Sequence, residues 1–225
     1  MDGPLLAVLR EDRRRVLARR TYRKDDTLFH EGDAGDLLYV IERGRVAIKV
    51  TTTLGDVVTL AVLGPGETFG EQALVDTQAT RTASAVALET VEVRTLHRRD
   101  FEAARAEDRS MDELLVEMLA AQVRRLSARL QEALFVAADG RVLRRLAELV
   151  ELYGADGGRS EIPLRQEDLA SMAGTTRPTV NRLLRRLEQD GVVVLRRGQV
   201  TVLDTAALAR RTRVSQSAIR SVGGG

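Results

Sequence analysis

Four residues in one passage have the types and spacing to hold a phosphodiester. The passage runs from Phe69 to Ala85, FGEQALVDTQATRTASA, and carries Gly70, Glu71, Arg81 and Thr82. Gly70 and Glu71 follow a Gly64-Pro65-Gly66 turn, as at the start of a short helix, where free backbone amides attract anions. Arg81 adds a charged fork of donors and Thr82 a hydroxyl, a set that binds phosphate without proton transfer. Glu71 suits the hydroxyl of an attached ribose, since a carboxylate close to phosphate would repel it. A surface salt bridge between Glu71 and Arg81 would use the same residues and no ligand. Spacing alone leaves both readings open.

A second set of candidates lies between Gln166 and Gln189, with the spacing of a helix-turn-helix. Gln166 opens a first helix, Ala170 is small where two helices must approach, and Gly174 supplies the turn. Val180 and Leu183 anchor a second helix, which Thr176 is placed to cap and Pro178 enters in its first turn. The polar residues of this segment are Thr175, Thr176, Arg177, Thr179, Asn181, Arg182, Arg185 and Arg186. Arg177 and Arg182 lie toward the groove-entering end, where arginine can donate twice to guanine O6 and N7. Arg185 and Arg186 are expected at phosphate or in solvent. Two short β runs, Val192–Leu195 and Gln199–Leu203, flank an Arg196-Arg197-Gly198 turn and read as a wing.

Other chemistries find few residues. The chain has no Cys, which removes disulfides, cysteine-based zinc sites and cysteine-held iron–sulfur clusters. Its two histidines, His30 and His97, are far apart in sequence. A cupin-type metal enzyme needs a His and carboxylate cluster, so neither a metal nor a haem is expected, and the protein reads as no enzyme. No apolar run reaches the 18 or so residues of a membrane span, and the first 20 residues lack a signal-peptide core. A cytoplasmic protein is expected. Lys and Arg number 20 against 23 acidic residues over residues 1–138, and 15 against 10 over residues 139–225. The basic C-terminal part fits an anionic partner such as nucleic acid.

These groups must be positioned by regular elements. Leu5 to Ala18 has helical spacing and predicts a short leading helix pair. Strands are predicted at 37–41, 45–50, 57–63 and 91–96, with turns at Gly32-Asp33, Arg43-Gly44, Gly55-Asp56 and Gly64-Pro65-Gly66. Strands at 8–12-residue intervals argue for a small β-barrel or jelly roll. Met111 to Leu134 then reads as one helix, about 37 Å long at 1.5 Å per residue, with Ser110 and Glu113 as a capping box. Its apolar residues Val116, Leu119, Val123, Leu126, Leu130 and Ala133 step by alternating threes and fours, the spacing of a coiled-coil seam. Arg124, Arg125, Ser127 and Arg129 flank that stripe; packing within its own domain is the alternative. Arg141 to Tyr153 predicts a further amphipathic helix, and residues 213–225 a disordered tail.

A β-domain containing FGE…RT, a long helix and a winged helix-turn-helix resembles the Crp–Fnr family of transcription regulators, over about residues 5 to 211. The resemblance implies an α+β fold: an N-terminal β jelly-roll cyclic-nucleotide-binding domain over 1–109, a dimerisation helix over 110–138 and a DNA-binding domain over 139–212. It also implies that Gly70 offers an amide, Glu71 takes the ribose hydroxyl, and Arg81 with Thr82 holds a cyclic phosphate. On the long helix the family's adjacent Thr and Ser touch the base; this chain keeps Ser127 but has Leu126 in the other position. An arginine of that helix is replaced by Gln122, and the family's Arg-Glu-Thr-Val becomes Arg177-Pro178-Thr179-Val180. The implied effector is cyclic AMP. The implied partners are a second copy, a roughly palindromic double-stranded DNA and RNA polymerase. A family member that binds DNA without a nucleotide, or with another small effector, is the alternative.

Overall fold

The computed structural model describes residues 17–76, 78 and 80–220. The chain divides into two compact units between Arg125 and Leu126.

In the first unit, two four-stranded antiparallel sheets form the jelly roll, with strand orders β1-β8-β3-β6 and β2-β7-β4-β5. The strands are β1 (Ala18–Tyr22), β2 (Thr27–Phe29), β3 (Leu37–Arg43), β4 (Val46–Thr51), β5 (Val57–Leu63), β6 (Thr68–Phe69), β7 (Ser84–Ala87) and β8 (Val91–His97). Strand side chains alternate faces, and β3 shows what each face does. Tyr39 and Ile41 point between the sheets and pack with Val46, Phe69, Ala85, Ala87, Val91 and Val93. Leu38 and Val40 point outward, under three helical segments: α1 (Gln72–Val75), α2 (Arg98–Glu107) and the start of α3 (Ser110–Phe135). Phe101, Ala104, Met111 and Leu114 close that second layer. Burial on both faces explains the unbroken apolar run of 37–41.

In the second unit, α4 (Ala138–Tyr153) packs with α5 (Gln166–Met172), α6 (Arg177–Gln189) and α7 (Thr205–Arg220), beside an antiparallel sheet β10-β11-β9. Its strands are β9 (Ser160–Ile162), β10 (Val193–Arg196) and β11 (Gln199–Val202). Arg196 pairs with Gln199 across the Arg197-Gly198 turn, which makes the wing.

The structure corrects several expectations. Residues 5–16 of the expected helix pair lie outside the described residues, and Ala18 begins β1 instead. The residues from Arg213 to Arg220 are not a disordered tail; they continue α7. Ser110 does open α3, but its hydroxyl and amide both donate to the Asp108 carboxylate, at 2.6 and 2.8 Å. Strands β1, β2, β6, β7 and β9 and helix α2 are elements that the sequence patterns do not announce.

Candidate functional site

Arg81 is the centre of the first site. It follows a loop bridged to the chain by Ala34 pairing with Thr80, and its own amide and carbonyl bond Asp33 and Gly32 at 2.8 Å each. That fixes the backbone and aims the side chain inward. The residue is only 7% exposed. Its guanidinium donates to the carbonyl oxygens of Leu37, at 2.9 Å, and Gly70, at 3.3 Å. It lies 4.3 Å from the centroid of Phe29 and 5.6 Å from that of Tyr39. The Nε atom is buried and has no hydrogen-bond partner among the described residues. Burial pulls the guanidinium below the ordinary arginine range; the nearby Tyr39, Asp36, Asp33 and Glu71 act the other way.

Gly70 is there because nothing larger fits. Its φ is +80°, a conformation that side chains with a Cβ rarely adopt. A Cβ would also come within 2.6 Å of Arg81 Nη1 and 3.0 Å of the Leu37 carbonyl. Glu71 follows at the N-cap position of α1 and is half-buried. Thr82 is exposed beside Arg81. The structure therefore brings Gly70 and Arg81 into contact, with Glu71 and Thr82 as their chain neighbours. A buried cation with an unused N–H at a glycine cradle fits a cyclic phosphate.

The histidines serve other ends. His97 Nδ1 accepts from the Arg99 amide at the start of α2, and its Nε2 lies 2.9 Å from Asp36. The His30 amide donates to the Asp33 carboxylate, a local turn bond.

The second site is the helix pair α5–α6. At the end of α5, Gly174 at φ +57° lets its amide bond Ser171 while the Thr175 amide returns to Ala170 at 2.9 Å. This is the Schellman geometry for stopping a helix and turning the chain. Val180, Leu183, Leu184 and Leu187 are the buried face of α6. Thr176 holds the N-cap position, but its hydroxyl makes no capping bond and sits 3.1 Å from that of Thr179. The Asn181 amide is engaged by Gln166, at 3.0 Å. Arg177, Arg182 and Arg185 are exposed and resting on carboxylates: Glu167 at 3.1 Å, Asp139 at 3.4 Å and Glu188 at 2.8 Å. Arg186 is exposed on the same helix.

One positioning residue is absent from the sequence reading. Arg141, at the start of α4, donates to the carbonyls of Ala173 and Gly174 at 2.8 Å each and of Val136 at 2.7 Å. It holds the turn of the motif through backbone oxygens, which carry no residue-type signal.

On α3, the predicted seam is mostly bare. Val116, Val123, Leu126 and Leu130 are each more than half exposed, as are Leu134 and Phe135 beyond them. Ser127 is exposed on the same helix.

Comparison with known proteins agrees with this architecture. The cyclic nucleotide-binding domain family matches residues 19–108, and the Crp-like helix-turn-helix domain family matches residues 140–211. The cyclic AMP receptor protein of Thermus thermophilus is 37% identical over 190 residues, covering 84% of this chain and 86% of its own. The CRP-like cAMP-activated global transcriptional regulator of Mycobacterium tuberculosis is 33% identical over 190 residues, covering 83% and 84%. A solved CRP-family transcriptional regulator, also from Thermus thermophilus, superposes with TM-score 0.71 at 26% identity, covering 86% of this chain and 96% of that one. The class these features define is a DNA-binding transcription regulator with a cyclic-nucleotide-binding domain, and not an enzyme. The chain belongs to the Crp–Fnr family.

Proposed function

We propose that the protein is a homodimeric regulator whose DNA binding responds to a cyclic mononucleotide, cyclic AMP in the first instance. The observation that carries the proposal is the buried Arg81 guanidinium, whose Nε–H is unused and whose hydrogen-bond acceptors among the described residues include no carboxylate. In this reading Gly70 and Glu71 take the phosphate and ribose, and Arg81 with Thr82 holds the cyclic phosphate. Ser127 contributes to the base contact. The exposed apolar stripe of α3 is the surface a second copy covers. Thr175, Thr176, Arg177, Thr179, Asn181, Arg182 and Arg185 form the DNA-facing set, and a cytoplasmic setting with RNA polymerase as partner completes the reading. Ligand then acts by population shift, favouring whichever arrangement of the DNA-binding domains binds it more tightly.

A second reading is supported by Leu126 and Gln122, which stand where a Thr and an Arg would serve the base: the effector is a different small molecule. Calorimetric titration with cyclic AMP and cyclic GMP distinguishes the two. Saturable binding of cyclic AMP that strengthens operator binding is the expected result. Heat with neither nucleotide, from protein that binds its operator regardless, would overturn the proposal.

A further inference from the structure

The chain has four Phe, three Tyr and no Trp. Three of these seven rings meet beneath one guanidinium. Phe29, Tyr39 and Phe69 pack mutually, with centroids 5.0 to 5.9 Å apart, and Arg81 lies over the first two. We infer that Phe29 is a positioning residue for phosphate binding: its ring is the platform that holds the Arg81 guanidinium in place without occupying the N–H groups left over from its two carbonyl bonds, Nε–H among them. This inference rests on the reading of Arg81 as the phosphate ligand.

A buried cation is costly without compensation. Two backbone carbonyls supply part of it here. A hydrogen-bonded carboxylate could supply the rest, but it would occupy the donors and would have to be displaced by any incoming phosphate. An aromatic face is a different kind of partner. It attracts the cation through the ring quadrupole, and it fixes the position of the guanidinium while using no N–H. Phe29 is well held for this task. It ends β2 and pairs with Ala85 of β7, four residues after Arg81, so platform and cation are carried by hydrogen-bonded neighbouring segments. Asp33, Asp36 and Glu71 act on the cation electrostatically, but its hydrogen bonds go to carbonyls.

The test compares Phe29→Leu and Phe29→Tyr with the unaltered chain. Cyclic AMP titration should show the Kd raised roughly tenfold for Phe29→Leu, as expected for losing a desolvated cation–π contact. Phe29→Tyr keeps a ring and should restore the affinity. Nitrogen-15 NMR of the Arg81 Nε–H group, assigned with Arg81→Lys, supplies a readout that general loosening would not give. An upfield ring-current displacement should be present in the unaltered protein and in Phe29→Tyr, and reduced in Phe29→Leu to the smaller part that the more distant Tyr39 ring supplies. Unchanged affinity in Phe29→Leu, an unmoved Nε–H signal, or failure of Phe29→Tyr to restore binding would each overturn the inference. Arg81→Ala separates this from the parent reading. If that protein still binds cyclic AMP normally, the assignment of Arg81 itself is wrong.

Discussion

The carbonyl oxygen of Gly70 accepts a hydrogen bond from Arg81 at 3.3 Å, and a methyl group on Gly70 would stand 2.6 Å from the same guanidinium nitrogen. The two residues are eleven apart in sequence and share one space. Gly70→Ala therefore carries two penalties, a strained positive φ and a displaced cation. Strain of this kind costs about 1–3 kcal/mol, so the thermal midpoint should fall. Cyclic AMP affinity should fall with it, because Arg81 must move. Arg81→Ala should abolish nucleotide binding, and Glu71→Ala should weaken it less, since that change removes a hydroxyl partner and not a charge. Calorimetry on the three variants checks the order; near-normal affinity in Arg81→Ala would remove the pocket.

If the bare stripe on α3 is the dimer seam, charge placed on it should break the dimer. Val123 is 61% exposed and Leu119 half-buried on that helix. Replacing both with Glu would place like charges against their symmetry mates in a dimer. Sedimentation should then report monomers. A dimer that survives the double change would mean that the stripe is not the seam.

The proposed DNA contacts centre on the arginines of α6. In a two-fold dimer the two recognition helices should enter successive major grooves about 34 Å apart, so the operator should be a rough palindrome. Replacing Arg177 or Arg182 by Ala should cost roughly 1–3 kcal/mol per half-site and relax preference at one base position. Arg185 and Arg186 are expected to touch phosphate or solvent, so their loss should lower affinity for all sequences alike or leave it unchanged. A phosphate contact would also make the salt dependence shallower by about one unit. The measurement is binding to a randomised-operator library at two salt concentrations. Arg177→Ala with unchanged base preference would move that residue to the backbone class. The carboxylates that hold Arg177 and Arg182 in the free protein are exposed pairs, worth about 0–1 kcal/mol, and DNA can displace them cheaply.

Glu188 gives a pH signature to the DNA-binding unit. Its carboxylate accepts the Leu195 amide at 3.0 Å and the Arg185 guanidinium at 2.8 Å, which holds it below the ordinary carboxylate value of 4.5. A depressed folded-state value means that the unfolded chain takes up its proton first. The contribution is therefore present above the unfolded value and is lost as pH falls through the folded one. Glu188→Gln should lower the thermal midpoint near neutral pH, and the difference from the unaltered protein should vanish in strong acid. A difference that persists unchanged there would trace the effect to shape and not to charge.

How legible these features are in the sequence depends on which physical signal each one leaves. Strand β3 is readable because both of its faces are buried, and α3 because its apolar residues repeat over 26 positions. The helix-turn-helix is readable because Gly174 must take a positive φ and Val180 and Leu183 must be buried. Strand β1 is not, since Arg19 and Arg20 lie on an exposed edge and Arg19 is paired with Glu92 and Glu42. Helix α2 escapes because only Phe101 and Ala104 of its ten residues are buried. Gly70, Glu71, Arg81 and Thr82 are legible by type, but the aromatic platform is not: Phe29 is fifty-two residues from Arg81, and only the folding of β2 against β7 brings them together. Arg141 leaves no trace at all, for its acceptors are carbonyls that every residue owns.

The aromatic cluster has an optical consequence. With no Trp in the chain, near-ultraviolet emission comes from Tyr22, Tyr39 and Tyr153. Tyr39 stacks on Phe69 at 5.0 Å with Arg81 above it, and Tyr22 packs against the same core. Two of the three fluorophores thus belong to the layer that carries Arg81, so an anion arriving at that guanidinium should change tyrosine emission directly. If Arg81 does hold the phosphate, the protein carries its own label-free reporter of occupancy.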